Sequence, residues 1–571
     1  MADAPPSQSE SHAIAFPQLD ADDLAALRPL AVPCDYADGD AVFRAGDADL
    51  DLFVVESGGI EIQNPADGDR HIVTHGPGQF AGDIDLLTRR PVIVNAVARG
   101  PTRLMRVPGE RLREVLNKVP RLGEKLLVAA QERRRLLSEA GVLGLKVVGP
   151  GKCRDTMAVR EFLFKNFVPF TWYDSASDRG RALMVEWGSP ARSPVIDFGG
   201  GRRLVDPGLR DLAQAAGVWR HCPGDAVDLA VVGAGPAGMA AAVYAASEGL
   251  STVVVDRLGP GGQAGGSSKI ENFIGFPSGL SGAELATRGV LQMLKFGVRM
   301  VAPVEVERIV PAAVGSAGTE DLHALHLDCG TVLRTKVVLI AAGVRWRKLD
   351  AAGAERFESA GVHYVCTSVE ATLYDTQDVA VVGAGNSAGQ AAMFLAECCR
   401  NRTVHLLVRK RLGPGMSEYL VGRLRAAPNV VVHEGVEVSA VHGDRRLDGL
   451  SLRPARPDGA AADAAPADAP PAGERLAVAA AFVFIGAEPG CSWLPPGIAR
   501  DGLGYVLTGI DALRSGRWPV ADREPCPLET TVPGILAAGD IRAGSTKRVG
   551  FAVGDGSLAV TCAHRLTAIR A

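Results

Sequence analysis

Hydrophobic and polar positions change their period several times along the chain. Residues 1–14 are polar, hold no sustained pattern and read as a loose tail. From 15 to 110, short β-rich runs alternate with turn signals: DGDAVFRAGD, LDLFVVESGGIEI, HIVTHGPGQF and VNAVARGPTRLMRV. Their spacing of roughly eight to twelve residues predicts a small β-barrel or jelly roll. Residues 109–139 switch to a helical period. Residues 145–221 then alternate strand and helix: LKVVG, TMAVREFLFKN, PFTWYD, a helix, PVIDF, a glycine turn, RRLVD and a last helix. From 227 onward two large βαβ patterns appear, each opened by a glycine fingerprint, and they are the one convincing internal repeat. Residues 456–474 are an Ala-, Pro- and Asp-rich stretch expected to be a solvated loop. The fold class expected is multidomain α/β: an N-terminal β jelly roll plus helices, a small α/β module and two Rossmann-like dinucleotide-binding domains.

Composition narrows the function. At roughly 100–200 residues per domain, 571 residues suggest three to five domains. An apolar fraction of 47% excludes disorder along the whole chain. Lys and Arg number 61 against 65 Asp and Glu, a net charge of −4, which argues against a nucleic-acid binder held by phosphate contacts. Ten cysteines are too sparse for a disulfide scaffold. The first residues, MADAPPSQSESHAIAFPQLDADDL, hold no basic segment followed by an apolar one, so no signal peptide is expected and the cytoplasm is the default location. Between Asp228 and Glu248 lie 19 uncharged residues, long enough to suggest a membrane span. They contain VVGAGPAG, a strand, a turn and a helix start, so no span is expected.

The first fingerprint lies in DLAVVGAGPAGMAAAVYAASEGLSTVVVD, residues 228–256. Gly233 permits the tight turn, Gly235 lets the backbone approach a pyrophosphate, and Gly238 lets helix and strand pack closely. The helix N-terminus offers N–H groups and a positive dipole end to phosphates. Asp256 ends the next strand, where a carboxylate can accept ribose hydroxyls. The second fingerprint lies in DVAVVGAGNSAGQAAMFLAECCRNRTVHLLVR, residues 378–409, with Gly383, Gly385 and Ala388 at the three positions. No acid follows its second strand, Val404–Val408; Arg409, Lys410 and Arg411 come instead. An acid would repel the 2′-phosphate of NADP, whereas Arg grips it bidentately. This site therefore reads as one for NADPH, against the plainer reading of a solvated basic turn.

With these two sites as a frame, residues 227–571 resemble bacterial thioredoxin reductases. Further matches are GGQ at Gly261–Gln263, IENFIGFPSGLSGAEL at Ile270–Leu285, IAAGV at Ile340–Val344, PGILAAGD at Pro533–Asp540 and KRVGFAVGDG at Lys547–Gly556. The resemblance implies FAD and NADPH as cofactors and no metal. It places Gly262, Gln263, Asn272, Gly343 and Arg548 against the flavin, and Asp540 on its ribityl chain or pyrophosphate. It implies that an FAD domain (226–346 and 475–571) is interrupted by an NADPH domain (347–474), that the NADPH domain rotates in relatives, and that the chain is a homodimer.

One departure matters. The family carries a redox Cys-x-x-Cys just before its second fingerprint, and here that stretch reads GVHYVCTSVEA. Val365 and Ser368 take the two cysteine positions, and Cys366 stands one place over without a partner at the required spacing. A disulfide needs two sulfurs with Cβ atoms about 4 Å apart, so the relay from flavin to an internal disulfide is expected to be broken unless Cys366 acts alone. Cys398 and Cys399 are adjacent on a predicted helix and read as packing residues.

Residues 145–221 resemble a glutaredoxin- or thioredoxin-like module. Cys153 takes the first position of its Cys-x-x-Cys and Thr156 the second. Ser193-Pro194-Val195 resembles the proline strand beside such a cysteine, and Gly199–Gly201 follows as in glutaredoxins. A helix N-terminus flanked by Lys152 and Arg154 favours a nucleophilic thiolate at Cys153. The competing reading is a module that only docks onto its neighbours.

Residues 15–140 resemble a cyclic nucleotide-binding domain, with the cassette at Gly78, Phe80, Gly82 and Asp83 followed by Val94-Asn95-Ala96. Asp83 is shorter than the family's glutamate. Val94 stands where the resemblance implies an arginine for the cyclic phosphate, and Arg89 and Arg90 are out of register. An anion site without its Arg loses its bidentate partner, so a docking or dimerisation role competes with ligand binding.

Two functions are compatible with this sequence. The first is an FAD-dependent NADPH oxidoreductase that hands electrons to an acceptor: a small molecule, a quinone, oxygen, or a protein such as thioredoxin. The second is a redox- or ligand-responsive regulatory flavoprotein with little turnover.

Overall fold

A computed structural model of the chain describes residues 8–569 except 49, 66–67, 83–89, 140–143, 152, 189–193, 200, 223, 268, 314–321, 414, 445 and 456–473. Asp83, Arg89, Lys152, Ser193 and nearly all of the Ala-, Pro- and Asp-rich stretch lie outside the described residues. Strands and helices are numbered in chain order.

The polar N-terminus is not a tail throughout. Gln8–Ala15 forms helix α1, with Ser11 and Ala15 buried. Its end is held by Arg133, which donates from Nε to Ala15 O at 2.6 Å. Asp20 then caps α2 (Ala21–Leu27) in a reciprocal capping box with Asp23. The roll comprises β1 (Val32–Tyr36), β2 (Ala41–Phe43), β3 (Leu52–Asn64), β4 (Arg70–His75), β5 (Phe80–Ala81) and β6 (Asn95–Val107), all antiparallel, in the order β1-β6-β3-β4 with β2 on β6 and β5 on β3. Alternation along β3 and β6 puts Val54, Ile60, Ala96 and Leu104 inside. The helical stretch predicted over 109–139 is two helices, α3 (Gly109–Lys118) and α4 (Pro120–Glu139). Pro120 sits at the first position of the second, where its missing N–H costs nothing.

The middle module is built from β7 (Leu145–Gly149), α5 (Arg154–Lys165), β8 (Phe170–Asp174), α6 (Asp178–Trp187), β9 (Val195–Asp197), β10 (Arg203–Val205) and α7 (Leu209–Ala215). Its sheet order is β10-β9-β7-β8, with β7 and β8 parallel and the other two pairings antiparallel. The module interlocks with the C-terminal part of the chain: Leu258 packs into the module's core, and Phe167 packs into the core beyond it. Asn166 donates to Leu258 O at 2.8 Å, and Arg210 pairs with Asp328 at 2.9 Å.

The first large α/β unit has β11 (Val227–Val232), α8 (Pro236–Ser247), β12 (Thr252–Val255), α9 (Gly282–Lys295), β13 (Arg299–Val301), β14 (Val306–Val310), β15 (His323–Leu327) and β16 (Val332–Ile340). The chain returns to it much later with α13 (Gly509–Arg514), β27 (Ile535–Ala537) and α14 (Val549–Ile569). The parallel strands run β13-β12-β11-β16, β27 joins β16, and the antiparallel β14–β15 hairpin covers the other edge. Both faces of the parallel part are covered, which is why its strands read as continuous apolar runs. Helices α8 and α14 touch through small residues: a Cβ at Gly556 would lie 2.2 Å from Ala237 O.

The second unit begins after β17 (Arg345–Trp346). It contains β18 (Val362–His363), α10 (Ser368–Ala371), β19 (Val379–Val382), α11 (Asn386–Cys398), β20 (Val404–Val408), α12 (Glu418–Ala426) and β21 (Val430–Glu434). Then come β22 (Val436–Gly443), β23 (Leu447–Pro454), β24 (Glu474–Leu476), β25 (Ala480–Val483) and β26 (Ala487–Glu488). The sheet β18-β25-β19-β20-β21 is parallel throughout. The two connections between the units pair with each other, β17 antiparallel to β26. Among the described residues, no helix is long and apolar enough to cross a membrane.

Candidate functional site

Each glycine fingerprint caps the carboxyl end of a parallel strand, at the point where a helix begins. Gly233 has φ +107° and a Cβ there would lie 2.4 Å from Ala341 O. Gly235 is the N-cap of α8, and a Cβ there would meet nothing nearer than the Gly262 Cα at 3.9 Å. Gly238 is the tightest, since its Cβ would be 1.9 Å from Gly233 O. The three glycines therefore do what a dinucleotide turn requires: bend, leave room and pack. The open cradle at Gly235, on a helix N-terminus, fits a pyrophosphate.

Asp256 follows β12, and both of its oxygens are engaged by main chain. Oδ2 accepts from Ala234 N at 2.8 Å, and Oδ1 accepts from Leu258 N at 2.9 Å and Gly259 N at 2.8 Å. An ionised carboxylate has about four acceptor positions, so one is left for a ribose hydroxyl. Much of this carboxylate orders the loop that reaches Gly262.

That loop lies against the first fingerprint. Gly261 N donates to Ala234 O at 2.8 Å. Gly262 has φ +53° and its Cβ would be 2.8 Å from Gly235 Cα. Gln263 donates from Nε2 to Val344 O, next to Gly343, which has φ +63° and open space where a Cβ would be. Asp540 follows β27 in a short turn, where burial raises its carboxyl above the ordinary value while the Lys547 ammonium draws it down. Its neighbour Gly539 donates to Asp555 Oδ2 at 3.0 Å, and Arg542 pairs with the same carboxylate at 3.0 Å. Arg548 is exposed and its carbonyl accepts from Ala552 N at the start of α14. Asn272 is exposed.

The second fingerprint differs. Gly383 has φ +144° and its Cβ would lie 2.4 Å from Phe484 O. At Gly385, the N-cap of α11, a Cβ would meet nothing within 4 Å. Ala388 is fully buried and its Cβ would stand 3.1 Å from one at Gly383. Arg409 and Lys410 follow β20 directly and are exposed.

The Val365–Ser368 stretch lies over the loop of the first unit: Val365 Cγ1 and Thr367 Cγ2 are each 3.8 Å from the Cβ position of Gly266. Cys366 does not share this surface. It is 4% exposed within the core of the second unit, and burial pushes its thiol well up. Burial disfavours the thiolate that redox attack by Cys366 would need. Cys398 ends α11 exposed rather than packed.

Some residues were not foreseen. Glu370 is buried; its Oε2 accepts from Thr367 N at 2.7 Å and from Thr367 Oγ1 at 2.5 Å. Burial raises its carboxyl. Glu271 joins the two units, accepting from Arg423 at 3.0 and 3.2 Å while pairing with Lys269 at 3.0 Å. Its motif was visible in sequence, its partner was not.

Cys153 is the N-cap of α5, half-buried, with its carbonyl accepting from Met157 N at 3.0 Å. Thr156 is buried beside Pro194, both meeting the Cβ position of Gly149. In the N-terminal roll, Val94 packs on the core. Arg133 reaches the cassette instead: its guanidinium lies 4.2 Å from the centre of the Phe80 ring and donates to Gly82 O.

The two units are in contact, one inserted in the other, and each carries a glycine turn between a parallel strand and a helix. Residues 227–556 match the pyridine nucleotide-disulphide oxidoreductase family, and residues 33–119 match the cyclic nucleotide-binding domain. The chain belongs to the pyridine nucleotide-disulphide oxidoreductase family, whose cofactors are FAD and NADPH. It is 28% identical over 365 residues to an NADH dehydrogenase of Bacillus subtilis, covering 63% of each chain. It is 30% identical over 339 residues to an alkyl hydroperoxide reductase subunit of Escherichia coli, covering 59% of this chain and 57% of that one. With a thioredoxin reductase of Mycoplasma pneumoniae it is 29% identical over 337 residues, 58% of this chain and 93% of the relative. The chain thus spans about three-fifths of the length of the first two relatives. A thioredoxin reductase structure from T. acidophilum superposes with a TM-score of 0.50 at 23% identity, over 60% of this chain and 99% of that one, and shares the fold.

Proposed function

We propose that this chain oxidises NADPH and passes the electrons to an acceptor other than a disulfide formed at the family's usual position. FAD, when bound, supplies the two-electron chemistry that links the nicotinamide to that acceptor. The observation that carries the reading is the contact between the two units: the loop that runs on from Gly262 and Gln263 meets, at Gly266, the stretch bearing Val365 and Thr367. Residues 226–346 and 475–571 are assigned to FAD, and 347–474 to NADPH.

In this reading Gly233, Gly235 and Gly238 receive the FAD pyrophosphate on the α8 N-terminus, and Asp256 orders the adjoining loop and accepts one ribose hydroxyl. Gly262, Gln263, Asn272, Gly343 and Arg548 line the flavin, and Asp540 faces its ribityl chain. Gly383, Gly385 and Ala388 take the NADPH pyrophosphate, and Arg409 and Lys410 take the 2′-phosphate. Val365 has no sulfur and Ser368 only a hydroxyl, so neither can carry the electron pair onward. The acceptor then comes from outside, or through Cys153 by a mixed disulfide.

The test is anaerobic NADPH consumption by the purified yellow protein, with and without oxidised thioredoxin. Bleaching of the flavin without thioredoxin-dependent turnover is the expected result. Thioredoxin-dependent turnover that disappears in C153S would instead place Cys153 on the route. Slow bleaching with every acceptor tried would favour the regulatory reading.

A further inference from the structure

The segment from Leu258 to Gly262 runs beside the first glycine turn, and its backbone polar groups are shared between two parts of the chain. Its donors go inward. Leu258 N and Gly259 N donate to Asp256 Oδ1 at 2.9 and 2.8 Å, and Gly261 N donates to Ala234 O at 2.8 Å. Two of its acceptors go outward, to the middle module. Leu258 O accepts from Asn166 Nδ2 at 2.8 Å, and Gly262 O accepts from Lys165 Nζ at 3.3 Å. The Leu258 side chain enters the module's core. At Gly259 a Cβ would lie 2.7 Å from Asn166 Nδ2. Buried main chain needs partners for its polar groups, and this segment takes them from both sides.

The end of α5 is shaped for these contacts rather than for the helix. The helix ends at Lys165 with Asn166 as its C-cap. Val168 N donates to Leu163 O at 2.9 Å and Phe167 N to Phe164 O at 3.1 Å, the paired bonds of a Schellman turn. Such a turn holds the residue after the cap in the left-handed region, where glycine is the usual choice. Here that residue is Phe167, at φ +54°, and a bulky side chain in this region is strained. Its ring packs against the core of the first α/β unit. A glycine would suit the helix end better, so what Phe167 adds is a hold on that unit. Asn166, 2% exposed, bridges in the same direction: Nδ2 donates to Phe162 O at 2.9 Å in its own helix as well as to Leu258 O. Lys165, braced by Glu161 at 3.4 Å, brings an ammonium to Gly262, whose Cα lies 3.9 Å from the Cβ position of Gly235.

We propose that the middle module is part of the FAD seat: Lys165, Asn166 and Phe167 are positioning residues that hold the Leu258–Gly262 segment in the form that receives the pyrophosphate at Gly235. This rests on reading the first unit as the FAD site. None of the three needs to touch the cofactor. The segment contains Gly259, Gly261 and Gly262, so once freed on its outer side it would gain many conformations. Ordering them again on binding would weaken the affinity. Asn166 and Phe167 order the segment and its surroundings in advance, and the Lys165 ammonium sets a positive charge at the rim of a seat that takes an anion. This role needs no second cysteine, so it holds whether or not Cys153 carries electrons.

The experiment is FAD binding by the full-length protein. Flavin is removed, and FAD is titrated back while its fluorescence is followed. N166A should bind FAD about tenfold more weakly than wild type, as loss of a buried hydrogen bond implies, and K165M should lie between the two. F167G is the stricter variant. It relieves the backbone at the end of α5, yet FAD should again bind about tenfold more weakly, because the packing on the first unit is gone. R210A breaks the other tie between module and unit, the pair with Asp328, and should leave the affinity unchanged. Hydrogen exchange on the wild type needs no variant: added FAD should slow exchange at residues 164–168 as well as at 258–263. Equal affinity in N166A, F167G and wild type would overturn the proposal, as would exchange at 164–168 that ignores FAD. A loss in R210A as large as in N166A would reduce the module to general docking and overturn it too. A wild type that binds no FAD at all would instead overturn the reading of the seat on which the proposal rests.

Discussion

At the third position of the two glycine fingerprints, the first unit has Gly238 and the second has Ala388. The backbone explains the difference. At Gly238 helix α8 comes so near the turn that a Cβ would sit 1.9 Å from a carbonyl oxygen, whereas α11 stands off enough for the Ala388 methyl. The floors differ as well. Gly235 is flanked by the Gly262 loop, which Asp256 orders through Leu258 N and Gly259 N while holding Ala234 N of the turn. Gly385 has nothing within 4 Å of its Cβ position. One motif thus gives a seat flanked by a second loop in the first unit and a seat without such a neighbour in the second, each leaving room for a pyrophosphate.

The sharpest way to break this comparison is to exchange the third residues. G238A should cost about 3 kcal/mol or more, because overpacking against backbone cannot relax, and the purified protein should lose its flavin. A388G should cost only about 1 kcal/mol, the usual penalty of glycine in a helix, with NADPH binding retained. Chemical denaturation and flavin absorbance measure both, and equal losses would show that the two turns are equally tight. The next effect is on coenzyme choice. Replacing Arg409 and Lys410 together by Ala should raise KM for NADPH about 10- to 100-fold, as loss of charge-assisted hydrogen bonds implies, and leave NADH nearly unchanged. A matching rise for NADH would make the basic pair a general surface feature.

A smaller effect separates charge from shape in the first seat. Burial raises the Asp540 carboxyl above its ordinary 3.8. A folded value above the unfolded one means the native state holds the proton more tightly. That stability is fully present below the unfolded value and is lost as pH rises through the folded one. D540N keeps the shape without the charge, so the flavin-free variant should match wild type in acid and exceed it at neutral pH. Thermal melts across pH check this, and a deficit of constant size would point to lost hydrogen bonds. The smallest effect is expected at Glu271. Its pair with Arg423 crosses between the units at a partly exposed position, so E271Q should change stability by under about 1 kcal/mol. Its signature is in salt dependence: the wild-type rate of flavin reduction should vary with ionic strength more than that of the variant.

Local patterns were legible where chemistry and structure are close in sequence. The strand LKVVG is β7, Val404–Val408 is β20, and both fingerprints sit on strand ends where their spacing placed them. What escaped depends on distant partners. Helix α1 is only eight residues long and is held by Arg133, 118 residues away. An isolated helix of that length has too few internal bonds to offset nucleation, so nothing within residues 8–15 announces it. The Glu271–Arg423 pair spans 152 residues. Cys366 was visible as a cysteine, but its environment was not, and the environment decides its reactivity.

The pairing of Arg345–Trp346 with Ala487–Glu488 has a practical side. Neighbouring strands lie about 4.8 Å apart, so the chain leaves the first unit and comes back to it at almost the same point. A domain with its ends side by side can be treated as a cartridge. The stretch between them could be cut out and bridged by a short turn, leaving a minimal flavin holder. It could also be exchanged for the matching stretch of a relative with a different coenzyme preference, grafting that preference without disturbing the seat beneath.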